Sequence, residues 1–334
     1  MKERRAAALV LALLVTMPSC GGEAVSLGDG RIASRTPAPD AGSSDAGSEG
    51  DAGSSDAGSE GDAPSKDAGS NQDASTSGPP FTSPVAIDAI SGSDTKDDDP
   101  SLTSDLTLIY FDSTRDGDQG KEDIWSASRD AAGDTWGNVA AVTELNTADR
   151  ETGIALDADG LEIWFSSNRS ESQGGLDVFH ATRTSRTGTW SAPERVAELS
   201  TAGDDLVSAV ADQNRTLVLA RRDSDSDDYD LYLATRASSA DAWNAAAPIA
   251  ELNTSSAESD GFLAQADSDL LFTRSENIWI ATRPTLTSPF GKPVRVDALN
   301  SSKDDRDVWA TDDLSYVVFS SDRSGSYRLY EASR

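Results

Sequence analysis

The chain has 334 residues, with 28 basic and 58 acidic side chains, a formal charge of -30, one cysteine and one histidine. A single cysteine excludes an intramolecular disulfide, and one histidine without a cysteine partner excludes the usual zinc sites. So acidic a surface repels phosphate backbones, which excludes nucleic acid as a partner.

Lys2, Arg4 and Arg5 precede the apolar run Ala6–Val15, the pattern of an export signal. That run is shorter than the roughly 20 apolar residues a membrane span needs. Met17-Pro18-Ser19-Cys20-Gly21-Gly22 then resembles a bacterial lipobox, in which the cysteine is acylated and becomes the new N-terminus. The resemblance implies a lipoprotein signal peptide over 1–19 and lipidation at Cys20. With Gly21 rather than Asp after the cysteine, it implies an address in the cell envelope, at the outer membrane of a Gram-negative bacterium. The alternative is a plain signal peptide with Cys20 an ordinary thiol.

From 21 to 80 there are almost no large apolar residues, and Asp40–Gly50 recurs unchanged as Asp51–Gly61. Such a stretch cannot bury enough surface to offset chain entropy, so 20–80 is expected to be the lipidated cysteine and a disordered acidic linker. A flexible chain of this length spans roughly 40 to 45 Å. The charge divides into +2 on residues 1–20, -8 on 21–80 and -24 on 81–334, so most of it lies beyond the linker.

Residues 81–334 repeat. One row reads Asp123–Arg129, Asp177–Arg183, Asp230–Arg236, Asn277–Arg283 and Arg328–Arg334, at spacings of 54, 53, 47 and 51. A second row precedes it: Tyr110–Arg115, Trp164–Arg169, a degenerate Val218–Arg222, Leu271–Arg274 and Val318–Arg323. Both are short, β-branched and aromatic, and Asp-, Ser- and Gly-rich stretches separate them, which predicts hairpins. A third strand lies upstream (Ser101–Thr103, Ile154–Leu156, Val207–Val210, Gly261–Ala264, Val308–Ala310). A fourth follows (Trp136–Leu145, Trp190–Leu199, Trp243–Leu252, Phe290–Leu299). Four short antiparallel strands recurring every 50 residues or so predict an all-β fold, a β-propeller of five four-stranded blades. The last repeat lacks its fourth strand, and Phe81–Ser91 is an orphan copy of it, so the N-terminal strand is expected to complete the last blade.

In the second repeat, Asp159-Gly160-x-x-Ile163-x-Phe165-Ser166-Ser167-Asn168-Arg169, then Asp177-Val178-Phe179, Trp190, Pro193 and Leu199 resemble the WD40-like (PD40) repeats of TolB-type propellers. The resemblance covers all five repeats and is weaker in the third and fourth. It implies a propeller fold and envelope-associated binding, often to protein or cell-wall components, and no enzymatic activity by itself.

Fourteen positions before Phe111, Phe165, Leu219, Phe272 and Phe319 stand Asp97, Glu151, Asp205, Glu258 and Asp305, an acid in every repeat. The register places them just ahead of the innermost strands, at one rim of the central channel. They are expected either to bind a cation or a basic group, or to pair with arginines such as Arg115, Arg169 and Arg323 and lock each blade to the next; the pairing is favoured. Asp223–Asp228 lacks the glycine and glutamate of a calcium loop and reads as a solvated hairpin tip. Trp136, Trp190, Trp243 and Phe290 share one repeat position and read as packing anchors rather than sugar platforms.

The expected function is a binding or scaffolding module for an envelope protein or a cell-wall or polysaccharide ligand, held to the membrane by its lipid alone. No catalytic residue, metal or cofactor is assigned. The alternative is a propeller glycosidase, which needs two carboxylates in unlike environments.

Overall fold

The computed structural model describes residues 80–334 apart from 93, 117–119 and 224–227. The expected signal peptide, Cys20 and linker, and most of the acidic tip Asp223–Asp228, lie outside the described residues.

The first strand, β1 (Val85–Ala86), precedes the first blade in the chain. Blade 1 follows as β2 (Asp97–Leu102), β3 (Leu108–Ser113), β4 (Asp123–Ser128) and β5 (Gly137–Ala141). Blade 2 is β6 (Glu151–Leu156), β7 (Glu162–Ser167), β8 (Asp177–Thr182) and β9 (Glu194–Arg195). Blade 3 is β10 (Asp204–Ala211), β11 (Thr216–Arg222), β12 (Asp230–Thr235) and β13 (Ala247–Pro248). Blade 4 is β14 (Glu258–Ala264), β15 (Asp269–Arg274), β16 (Asn277–Thr282) and β17 (Val294–Arg295). Blade 5 contributes β18 (Asp305–Ala310), β19 (Tyr316–Ser321) and β20 (Arg328–Ser333). Each blade is an antiparallel meander, and β1 pairs with β20, Val85 opposite Glu331, to complete the fifth. The ring of five four-stranded blades is therefore closed by the N-terminal strand.

Five apolar cores hold it, each lying between consecutive blades. Phe111, Phe165, Phe272 and Phe319, with Leu219 in blade 3, sit at one repeat position in the second strands and are fully buried. Each such phenylalanine removes apolar surface worth about 1.5–3 kcal/mol from water. The expected anchors Trp136, Trp190, Trp243 and Phe290 are buried too, with Phe81 as the fifth. Above them lie Arg129, Arg183, Arg236, Arg283 and Arg334, guanidinium to ring centroid 4.1, 4.3, 4.3, 4.6 and 4.2 Å. Each arginine ends the first expected row in its blade, so that row and the fourth strand meet as cation–π pairs.

The outermost strands are shorter than their sequence runs. β5 has five residues, but β9, β13 and β17 have two each. Pro193, Pro248 and Pro293 stand in those three segments and cannot donate to a ladder, whereas 137–141 has no proline. The result is a rim of short edges, which limits pairing with other chains.

Candidate functional site

The site is built at the heads of the five inner strands. Asp97, Glu151, Asp205, Glu258 and Asp305 do not stand ahead of these strands at an open rim, as their spacing suggested. They are paired strand residues, opposite Ser113, Ser167, Arg221, Arg274 and Ser321, and each is 0 % exposed. Burial of a carboxylate demands a partner, and each has one of its own. Arg115 reaches Asp97 at 2.5 Å, Arg169 reaches Glu151 at 3.0 Å, Arg221 reaches Asp205 at 2.6 Å and Arg274 reaches Glu258 at 2.8 Å. Arg323 is paired with Asp305. The same guanidinium groups donate to the carbonyls of Ile90, Leu145, Leu199, Leu252 and Leu299, which end the preceding fourth-strand segment. Each acid thus lies in an ion pair that ties its blade to the crossover before it.

The weaker third and fourth repeats reach the same arrangement by another route. In blades 1, 2 and 5 a serine opposes the acid and donates to it, and the arginine comes two residues later. In blades 3 and 4 the arginine itself occupies the serine's place. What reads as degeneracy in sequence is the same lock with its cation moved.

In four of the five blades the inner strand bulges two residues beyond the buried acid. The register slips between Asp98 and Ser101, Thr152 and Ala155, Ser259 and Phe262, and Arg306 and Trp309. The residues thrown out are left-handed: Asp99 at φ 49°, Gly153 at 59°, Asp260 at 53° and Asp307 at 53°. Glycine and aspartate tolerate this region, which β-branched side chains do not. In blade 3 the equivalent residue is Val207, which stays paired with Leu219, and the slip comes after it. A side chain at Gly153 would also meet the Val207 carbonyl oxygen at 2.8 Å.

Three carboxylates therefore converge from blades 4, 5 and 1, while blades 2 and 3 present glycine and valine. One oxygen each from Asp99, Asp260 and Asp307 lies within 4.8 Å of the other two. They line a cavity of about 750 Å³ at this mouth of the channel, together with Lys96, Asp98, Arg150, Arg222, Tyr229, Thr273 and Arg306. Below them a void of about 10 Å³ is bounded by Pro100, Ile154, Ser208 and Val308. Thr273, itself buried, has a hydroxyl with no hydrogen-bond partner.

Charges alternate across the mouth. Arg306 binds Asp98 at 2.7 Å, Lys96 bridges Asp98 at 2.8 Å and Glu122 at 3.1 Å, and Arg150 pairs with Glu122. Arg306 also lies 4.0 Å from the Tyr327 ring centroid. Its Nε is 3.3 Å from Asp307, close enough for attraction but not aligned to donate.

The neighbouring acids titrate apart. Burial pushes the Asp98 carboxyl up, but Arg306, Lys96 and the Ser320 hydroxyl outweigh it and hold Asp98 below the ordinary carboxylate range. Burial raises Asp99, and Asp260 and Asp98 add to it. Asp307 is raised well above that range by burial and then by Asp260 and Asp99. Asp112 is raised similarly by burial, Asp99 and Asp98. The Thr152 hydroxyl lies 2.8 Å from Asp99 and 2.5 Å from Asp112. A hydroxyl has one proton to give, so one of these contacts needs a protonated carboxyl, and Asp112 is the better placed to carry it.

None of Asp99, Asp260 and Asp307 is marked by the acid-per-repeat pattern, because two of the five blades lack the acid. The signal available was the column two residues after the buried acids.

No protein-family model matches the sequence, and no curated protein matches it either. Solved structures do. TolB from Acinetobacter baumannii is similar at 13 % identity and TM-score 0.41, over 70 % of this chain and 54 % of that one. Zg3597, a family 117 glycoside hydrolase from Zobellia galactanivorans, is similar at 10 % identity and TM-score 0.48, over 76 % and 90 %. An oligogalacturonate lyase from Vibrio parahaemolyticus is similar at 9 % and 0.40, over 75 % and 93 %. With identities and TM-scores this low, these likenesses say nothing about function.

Proposed function

We propose that this chain is a lipid-anchored binding module of the cell envelope, whose channel mouth holds a divalent cation and presents it to a protein or cell-wall ligand. The convergence of Asp99, Asp260 and Asp307 carries the reading. Calcium binds carboxylate oxygens at about 2.3–2.6 Å, so oxygens on opposite sides of one ion stand up to about 5 Å apart, a span that contains this group of three. Thr273, whose buried hydroxyl has no partner, lines the same cavity. Three aspartates leave coordination positions for a ligand's carboxylate or hydroxyls, and Arg150, Arg222 and Arg306 around them favour an anionic or hydroxyl-rich group.

The test is capture by the full chain of peptidoglycan, envelope proteins and a panel of polysaccharides, with calcium or with chelator. Calcium-dependent capture, lost in an Asp260→Asn/Asp307→Asn variant, is the expected result. Capture indifferent to both would sink the reading.

One observation favours a second reading, a glycosidase: Asp98 is held ionised while Asp99, Asp112 and Asp307 are raised, the unlike pair that acid–base chemistry requires. Shortening of a captured polysaccharide, abolished by Asp98→Asn, would establish that reading in place of the first.

A further inference from the structure

The channel has a second mouth, and its chemistry differs. Pro100, Ile154, Ser208 and Val308 border a small void beneath the three aspartates. Beyond them, where the inner strands end, lies a separate cavity of about 470 Å³. That volume is within the range of small-molecule sites. Its floor is apolar, made by Leu102, Leu156, Val210, Phe262 and Trp309. Phe262 and Trp309 lean together with ring centroids 5.7 Å apart at 58°, leaving an aromatic wall that is not stacked shut.

The edge of this cavity is charged on one side only. Asp312 and Asp313 stand there exposed, in the hairpin between β18 and β19. Hydrogen bonds from Ser315 and Thr311 hold the Asp313 carboxyl down at about 2, so it is an anion at any physiological pH. Asp312 accepts from the Ala266 backbone N–H. Among the described residues no lysine or arginine lines this cavity, whereas Lys96, Arg150, Arg222 and Arg306 line the other. An aromatic, apolar floor with carboxylates at its edge and no lysine or arginine among its described lining residues is complementary to an apolar body carrying a positive head.

We propose that this mouth binds a small amphiphilic organic cation, its apolar body against Phe262 and Trp309 and its ammonium or guanidinium group at Asp312 and Asp313. The site is independent of the divalent-cation site, and neither stands or falls with the other.

Three probes of one shape test it on the full chain by calorimetry and tryptophan fluorescence: 4-phenylbutylamine, 4-phenylbutanol and 4-phenylbutyrate. The amine is expected to bind at one site, about ten-fold tighter than the alcohol, with the carboxylate weakest. Asp312→Asn/Asp313→Asn keeps the acceptor oxygens of both turns and should bring the amine down to the alcohol. Val210→Trp, which fills the cavity from a half-exposed position, should abolish binding of all three. Asp260→Asn/Asp307→Asn at the other mouth should change nothing. The proposal is overturned if the amine does not bind, if its preference survives the Asp312/Asp313 change, or if binding follows the charge at the other mouth.

Discussion

Two acids stand two residues apart at the head of three inner strands, Asp97 and Asp99, Glu258 and Asp260, Asp305 and Asp307, and their circumstances are opposite. The first of each pair is sealed from water with an arginine of its own and recurs in all five blades. The second is left-handed and crowded by its like, half-buried at Asp99 and Asp260 and buried at Asp307, and absent from blades 2 and 3. Fivefold recurrence here marks what the fold needs at every blade junction. Departure from it marks where a site can be specialised, since a ring of identical residues cannot place unlike groups around one ligand. An acid in every repeat was thus a signal of architecture, and the broken column beside it the signal of a site.

The largest effect that separates the two classes is on stability. Removing Glu151 leaves Arg169 buried without its partner, so Glu151→Ala should cost about 3–5 kcal/mol in chemical unfolding. Asp307→Asn should instead stabilise the metal-free chain at pH 8, by on the order of 1 kcal/mol, because it removes a carboxylate forced against two others. If both substitutions destabilise alike, the distinction between the two acids fails.

A pH series sharpens the second case. A carboxyl whose folded pKa is raised contributes stability that is fully present below its ordinary pKa and is lost as pH rises through the folded value. Asp99, Asp112 and Asp307 are all raised, so without metal the wild type should match or exceed Asp307→Asn at acid pH and fall behind it with rising pH. Calcium in excess should reverse the order at pH 8, adding about 2.7 kcal/mol to the wild type at a hundred times its dissociation constant. An order of stability that ignores both pH and calcium would count against the site.

The smallest effect is expected far from the channel. His180 lies against Trp164 with its Nε2 3.1 Å from Glu162, and both side chains are partly exposed. Glu162→Gln should therefore cost less than about 1 kcal/mol and leave calcium binding unchanged.

The sequence by itself determined the number of blades, their strand rows and the closure by Phe81–Ser91, because period-2 apolar rows and turn residues recur at a fixed interval and each row must bury its apolar face between neighbours. It also determined that an acid recurs once in every repeat at a fixed distance from the second-strand core residue. Several things were decided only in three dimensions: that those acids are sealed, that Arg221 and Arg274 reach the same place from a shifted position, and that Asp99, Asp260 and Asp307 meet. Residues more than 150 positions apart converge only because the ring closes and each bulge turns one side chain into the channel. The two mouths differ for the same reason. One inner strand carries both, and the set of Pro100, Ile154, Ser208 and Val308, from four different strands, that lies between a charged cavity and an aromatic one is a property of no single repeat.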